Sequence, residues 1–233
     1  MPSQPAWQWN EVQQVGTDYA DMAEVERYER RMSEFRDLAA EDASLLAALA
    51  LAPGSHVLEI GTGTGHFARA AAKAGHRVTA LDVSPAMLQY AEAQARAQGL
   101  ADMRFSHAGF LTLDEPAARF DAVVSVAALH HLPDLWKAVA LQNVRRVLKP
   151  DGLFLLCDVV FASTGEELHV QFDGFVHALP QGMRKETIRH IAREYSTLDW
   201  IMEGLLLRAG FRILRTTAAK SPLLVYLCQA DKG

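Results

Sequence analysis

Four stretches of this chain hold residues whose types and spacing could do chemistry. In the first, Val57 to Gly65, the sequence Val-Leu-Glu-Ile-Gly-Thr-Gly-Thr-Gly follows a short apolar run with glycines at alternate positions. Glycine reaches positive φ and lets backbone approach a ligand with no Cβ in the way. A helix start near His66 and Phe67 adds unpaired N–H groups and the positive end of a helix dipole, so the turn is a cradle for a polar ligand. The second is Asp82, 21 residues after Gly61. A carboxylate there can accept two hydrogen bonds from a ribose diol. The third is His130-His131, imidazoles able to take a proton near neutral pH. The fourth is His169, Asp173 and His177, spaced to share one helix face. A straight helix separates the outer pair by ~12 Å at 1.5 Å per residue, too far for one small ion. No metal site is expected, only a pocket wall or solvated face. Lys185, Arg189 and Arg193 repeat the spacing, diluted by Glu186 and Glu194, and read as a solvated helix face.

These groups fall at the ends of alternating strands and helices. Strands are expected at Val57–Ile60, Arg77–Leu81, Met103–Ser106, Phe120–Val126 and Leu153–Phe161. The Phe120–Val126 run is apolar on both faces, as a central parallel strand requires. Ser84-Pro85 opens a helix, with serine as N-cap and proline at the first helical position. A further helix spans Asp134 to Leu148, and Lys149-Pro150-Asp151-Gly152 is a turn. Residues 162–197 interrupt the alternation as a helical insertion. After a helix over Leu198–Ala209, strands Phe211–Thr217 and Pro222–Cys228 are four residues apart and should pair as an antiparallel hairpin. The β-α repetition implies an α/β, doubly wound, seven-stranded sheet. Before it, residues 21–51 carry an amphipathic stripe at Val25, Tyr28, Met32 and Phe35. Residues 1–52 are therefore read as an N-terminal helical annex or lid, and residues 53–233 as the α/β domain.

The 233 residues, 50% hydrophobic and 22% charged, suffice for one full core. A net charge of −5 argues against a broad phosphate-binding surface, so no nucleic-acid partner is expected. Cys157 and Cys228 lie in apolar strands and are expected as buried thiols. Without a membrane-length apolar run or a signal-like N-terminus, the protein is expected to be soluble and cytoplasmic, with no membrane partner.

The glycine turn departs from the dinucleotide pattern G-x-G-x-x-G, because His66 stands in the third glycine's place. With Glu59 before it, the turn resembles motif I of the class I S-adenosylmethionine-dependent methyltransferases. Phe120 to Asp134, including His130-His131-Leu132-Pro133, and Lys149 to Gly152 also resemble that family, as does the terminal hairpin. The likeness covers residues 40–160 and is nearest to the small-molecule branch that includes ubiquinone and menaquinone C-methyltransferases. It implies a Rossmann-like fold, S-adenosyl-L-methionine as cofactor, and methyl transfer to a small-molecule acceptor by direct displacement. Cofactor contacts are implied at Glu59, Gly61, Thr62, Gly63, Gly65, Asp82, Val83, Met87, Gly109, Phe110 and Ala127. Family members often carry an acidic residue after the third strand, for the adenine amino group. Here that slot is Gly109, so adenine is expected on the backbone of Gly109 and Phe110. His130, His131 and Tyr19 are the catalytic candidates. His130 is expected to face the pocket and His131 to shape the loop. Trp7, Trp9 and Tyr19 are expected to meet His169, Phe172, Asp173, Phe175 and His177 over the cofactor. A nicotinamide-dependent oxidoreductase and a non-catalytic cofactor-binding protein are the competing readings.

Overall fold

Near-continuous hydrophobic runs build the sheet. In β1 (His56–Ile60), Val57 faces one side and Leu58 and Ile60 the other, and all three are fully buried. β2 (Arg77–Asp82), β3 (Arg104–His107), β4 (Phe120–Val126) and β5 (Leu148–Phe161) extend it in parallel. β7 (Phe211–Ala218) and β8 (Leu223–Ala230) close it as an antiparallel hairpin. The order is β3-β2-β1-β4-β5-β8-β7, so the winding reverses between β1 and β4. That reversal opens a crevice at the strands' C-terminal ends, where open α/β sheets bind ligands. The computed structural model describes residues 5–13, 21–35, 37–162, 165–179, 181–218 and 223–231. Tyr19 lies outside them.

Both faces are covered. α5 (Asp134–Val147) and α8 (Asp199–Arg208) place Leu141, Val144, Met202 and Leu206 against Leu58, Ile60 and Phe154. α2 (Leu38–Leu49) and α3 (His66–Lys73) place Leu45, Leu49, Phe67 and Ala71 against Val57, Val78 and Leu155. Each large apolar side chain buried this way contributes about 1.5–3 kcal/mol. α4 (Pro85–Ala97) starts as expected, with Ser84 Oγ accepting from Met87 N at 3.2 Å.

Three expectations need adjustment. The helical segment before the sheet is two helices, α1 (Met22–Phe35) and α2. Asp37 caps the second, accepting from Ala40 N at 3.0 Å. Val25 of the stripe packs on Ala86 and Met87 of α4, while the side chains of Met32 and Phe35 lie outside the described set. The Lys149–Gly152 turn is a bulge inside β5, where Asp151 takes φ 61° and the pairing jumps from Phe120–Leu148 to Ala122–Leu153. An eighth strand, β6 (Thr197–Leu198), ends the insertion by pairing with Val160 and Phe161 of β5. The insertion itself is α6 (Leu168–Ala178) and α7 (Gln181–Arg193).

Neither cysteine is in a disulfide. Cys157 pairs with Val225, three positions from Cys228, and an odd offset puts the two on opposite sheet faces. Burial pushes the Cys228 thiol up to about 12. Among the described residues, no helix is long and apolar enough to cross a membrane.

Candidate active site

A cavity of about 450 Å³ lies at the reversal point, within the range of small-molecule sites. Its floor is the glycine turn. Gly61 sits at φ 75°, and a Cβ there would overlap the Cβ of Ala128 at the end of β4. Gly63 sits at φ 53° with open space where a Cβ would project. Thr62, Thr64 and His66 line the same wall. Gly65 has a different task. It does not border the cavity, and a Cβ on it would lie 2.9 Å from that of Ala91, so it lets α3 close on α4.

Asp82 ends β2 with its carboxylate on the cavity, 8% exposed. Oδ2 accepts from Gly63 N and Oδ1 from Ser84 N, both at 2.8 Å. Burial raises its pKa and these two N–H donors oppose the rise. Val83 and Met87 flank it on the wall. Glu59 lies beneath, fully buried by the strands, with Oε2 accepting from Thr62 Oγ1 at 2.5 Å. Burial pushes its carboxyl up to about 8.

At Gly109 the structure departs from expectation. The Gly109 N–H donates to Thr112 Oγ1 at 2.8 Å, and Phe110 O accepts from Asn143 Nδ2 at 2.9 Å. These backbone groups are already engaged. The space above Gly109 holds a carboxylate from the other end of the chain, because a Cβ there would come within 2.5 Å of Glu11 Oε2. Glu11 Oε1 accepts from Leu111 N at 2.9 Å, Thr112 N at 2.7 Å and Thr112 Oγ1 at 2.7 Å. Burial raises its pKa against those donors. Glu11 and Phe110 both border the cavity. Sequence reasoning missed Glu11, about 100 residues from its partners, with no local pattern to mark it.

The opposite end is lined with histidines. Ala127 leaves β4 at φ 51°, held by its N–H to Cys157 O at 2.7 Å. The short turn Leu129–His131 follows. His130 donates from Nδ1 to Asp158 Oδ1 at 2.5 Å, and its Nε2 lies 3.2 Å from Glu194 Oε2. Burial alone would lower the His130 pKa, but Asp158 and Glu194 outweigh it and push it up to about 9. His131 also borders the cavity, and among the described residues its ring makes no hydrogen bond. Burial and the neighbouring His130 charge lower it to about 4. His130 borders the cavity as expected but is engaged at both nitrogens, and His131, expected to shape the loop, borders the cavity as well.

The insertion reaches the cavity mainly at the end of α7, and of its expected residues only Phe175 lines it. His190 and Glu194 border the cavity, and Glu194 is only 10% exposed instead of on a solvated face. His169, Asp173 and His177 are exposed and do not border it. His169 faces Glu167, and His177 Nδ1 lies 2.7 Å from the Asp173 carbonyl. Phe175 is on the wall, whereas Phe172 packs edge-on against Phe161. Trp9 of the N-terminal stretch meets Tyr195 edge-on at 5.8 Å, and Trp7 stacks on Trp136. Buried Lys137 holds this corner, donating to Asp134 and to the Tyr195 carbonyl.

Residues 57–152 match the family described as Methyltransferase domain. The uncharacterised methyltransferase YcgJ of Bacillus subtilis is 34% identical over 143 residues, 61% of this chain and 54% of that protein. Residues 57–152 carry a methyltransferase domain. A sterol 24-C-methyltransferase of Gibberella zeae is 31% identical over 145 residues, 59% of this chain and 38% of that protein. The match thus spans about half the length of these relatives or less. A SAM-dependent methyltransferase of Aquifex aeolicus superposes with TM-score 0.64 at 20% identity, covering 90% of this chain and 97% of that one.

The lining of the cavity suits a nucleoside cofactor. Gly61 and Gly63 bring backbone to the wall where side chains could not stand, and Asp82 offers acceptor lone pairs beside them. Glu59 gives the domain a pH signature. Its raised carboxyl favours the protonated folded state, so its stabilisation is complete below the ordinary value of 4.5 and is lost as pH rises through about 8. Urea midpoints of the cofactor-free protein should fall between pH 5 and 8.5 more steeply than those of Glu59→Gln, which stays neutral. Equal slopes would place the titration elsewhere.

Proposed function

We propose that this protein transfers the methyl group of S-adenosylmethionine to a small-molecule acceptor. One observation supports it above others. A single cavity joins the glycine turn and the Asp82 carboxylate at one end to a histidine-lined pole at the other. The cofactor supplies a sulfonium-bound methyl group, and its leaving group is a neutral thioether. Asp82 accepts from the ribose hydroxyls while it holds the Gly63 and Ser84 N–H groups in place. Gly61 and Gly63 admit the amino-acid end to close backbone contact. Thr62, Val83, Met87, Phe110 and Ala127 complete the wall, with Glu59 buried beneath it. Placing the acceptor in line is the protein's main contribution, through proximity and orientation. His131, its ring open to the cavity and held uncharged there, is placed to accept a hydrogen bond from the acceptor. The sterol enzyme among the relatives supports a small-molecule acceptor.

Glu11 is assigned to the nucleobase end, in the place an acidic side chain at position 109 would fill. Glu11→Ala should weaken cofactor binding roughly tenfold to a hundredfold, the range for losing hydrogen bonds to a charged group. The penalty should shrink for an inosine analogue of the cofactor, which lacks the exocyclic amine. Equal penalties for both would mean that Glu11 only braces the Leu111–Thr112 loop.

Calorimetric titration with S-adenosylmethionine, S-adenosylhomocysteine and NAD tests the cofactor. Binding of NAD alone would sink the reading. Transfer of labelled methyl to a panel of small acceptors tests the reaction. Cofactor binding without transfer to any acceptor, in the presence of cell extract, would favour the non-catalytic reading.

A further inference from the structure

His130, His190 and Glu194 converge from two separate parts of the chain. His130 comes from the turn after β4, His190 from the last turn of α7, and Glu194 from the residue just past that helix, its N–H bonded to the His190 carbonyl at 2.9 Å. His130 Nε2 lies 3.2 Å from Glu194 Oε2, and His190 Nδ1 lies 2.5 Å from the same oxygen. One ligand atom from each residue falls within 4.8 Å of the other two. All three side chains border the cavity.

We propose that these three residues bind a divalent transition-metal ion, Zn²⁺, Fe²⁺ or Co²⁺ in class, at the histidine end of the cavity. Two imidazoles and a carboxylate are the donor set such ions prefer, and three ligands leave positions open to the cavity. Ligands at about 2.1 Å from one ion stand about 3–3.4 Å apart. The 3.2 Å pair already meets this, and the 2.5 Å pair needs to open by about half an ångström. The outer contacts point the same way. His130 Nδ1 is held by Asp158, which leaves Nε2 facing Glu194. Asp158 is itself fixed by the N–H groups of His130 and Val159, at 3.0 and 2.7 Å. His190 Nε2 lies 2.7 Å from Ser196 Oγ, which leaves Nδ1 facing the same carboxylate. Carboxylate-oriented imidazoles of this kind are the usual surroundings of a metal site. The backbone also braces α7 here, through Tyr195 N to His130 O at 2.8 Å and the β6 pairing.

Ion binding stands apart from methyl transfer. That the open positions take an oxygen-bearing acceptor rests on the proposed function. The test is therefore made without cofactor. Full-length protein, stripped with chelator, is titrated with Co²⁺ and followed by visible absorption and by calorimetry. One equivalent should bind and produce ligand-field bands. His190→Gln and Glu194→Gln should each weaken binding at least tenfold, and Asp158→Asn tenfold to a hundredfold. His169→Ala, on the exposed face of α6, should change nothing. If Glu194→Gln fails to fold by circular dichroism, His190→Gln alone decides. Absence of a saturable band overturns the proposal. So does binding that His169→Ala weakens and His190→Gln does not, which assigns the ion to surface histidines. Cofactor titration in chelator then reads the methyltransferase assignment separately.

Discussion

Gly61→Ala is expected to abolish cofactor binding and to destabilise the protein by about 2–6 kcal/mol. Two costs add. Residue 61 sits at φ 75°, where an L side chain is strained by about 1–3 kcal/mol. The new methyl also meets the Cβ of Ala128, and the ends of β1 and β4 must part to admit it. Overpacking of this kind costs about 1–3 kcal/mol more. Those strand ends form the cavity floor, so the ligand site is lost along with the packing. Gly63→Ala supplies the contrast. Open space receives its methyl, so the fold should survive at about 1 kcal/mol of backbone strain while affinity falls, because that space is the cavity. Thermal melts and calorimetry on both variants check the pair. A Gly61→Ala protein as stable as wild type would show that β1 and β4 do not meet there.

Asp82→Ala should weaken cofactor binding roughly tenfold to over a hundredfold, since hydrogen bonds to a charged group contribute about 1.5–3 kcal/mol. The carboxylate now satisfies Gly63 N and Ser84 N as well, so its removal leaves two backbone donors without an acceptor. Stability should fall by about 1–3 kcal/mol in consequence. Asp82→Asn keeps one acceptor oxygen and should lie between wild type and alanine in both measurements. An unchanged dissociation constant for Asp82→Ala would mean that the carboxylate serves only the turn.

The parts legible in the sequence are those set by local chemistry. Near-continuous apolar runs in Val57–Ile60 and Phe120–Val126 dictate strands buried on both faces. Ser84-Pro85 dictates where α4 begins, because cap and ring act within one turn. The alternating glycines after β1 dictate a turn that side chains could not make, and Asp82 follows from its place at the end of β2. The terminal hairpin follows from four intervening residues between two apolar runs.

What the tertiary structure decided depends on contacts across distance. Gly109 reads as a missing carboxylate in sequence, but folding supplies one from Glu11. Glu194 sits among arginines and reads as one charge on a solvated face. It is nonetheless largely withdrawn from solvent beside His130 and His190, because β6 and Lys137 draw the end of the insertion against β5 and α5. His169, Asp173 and His177 carry the more conspicuous spacing and stay in solvent, because α6 turns that face outward. Helical spacing puts side chains on a common face, but only the packing of the helix against the sheet decides whether that face meets water or the cavity.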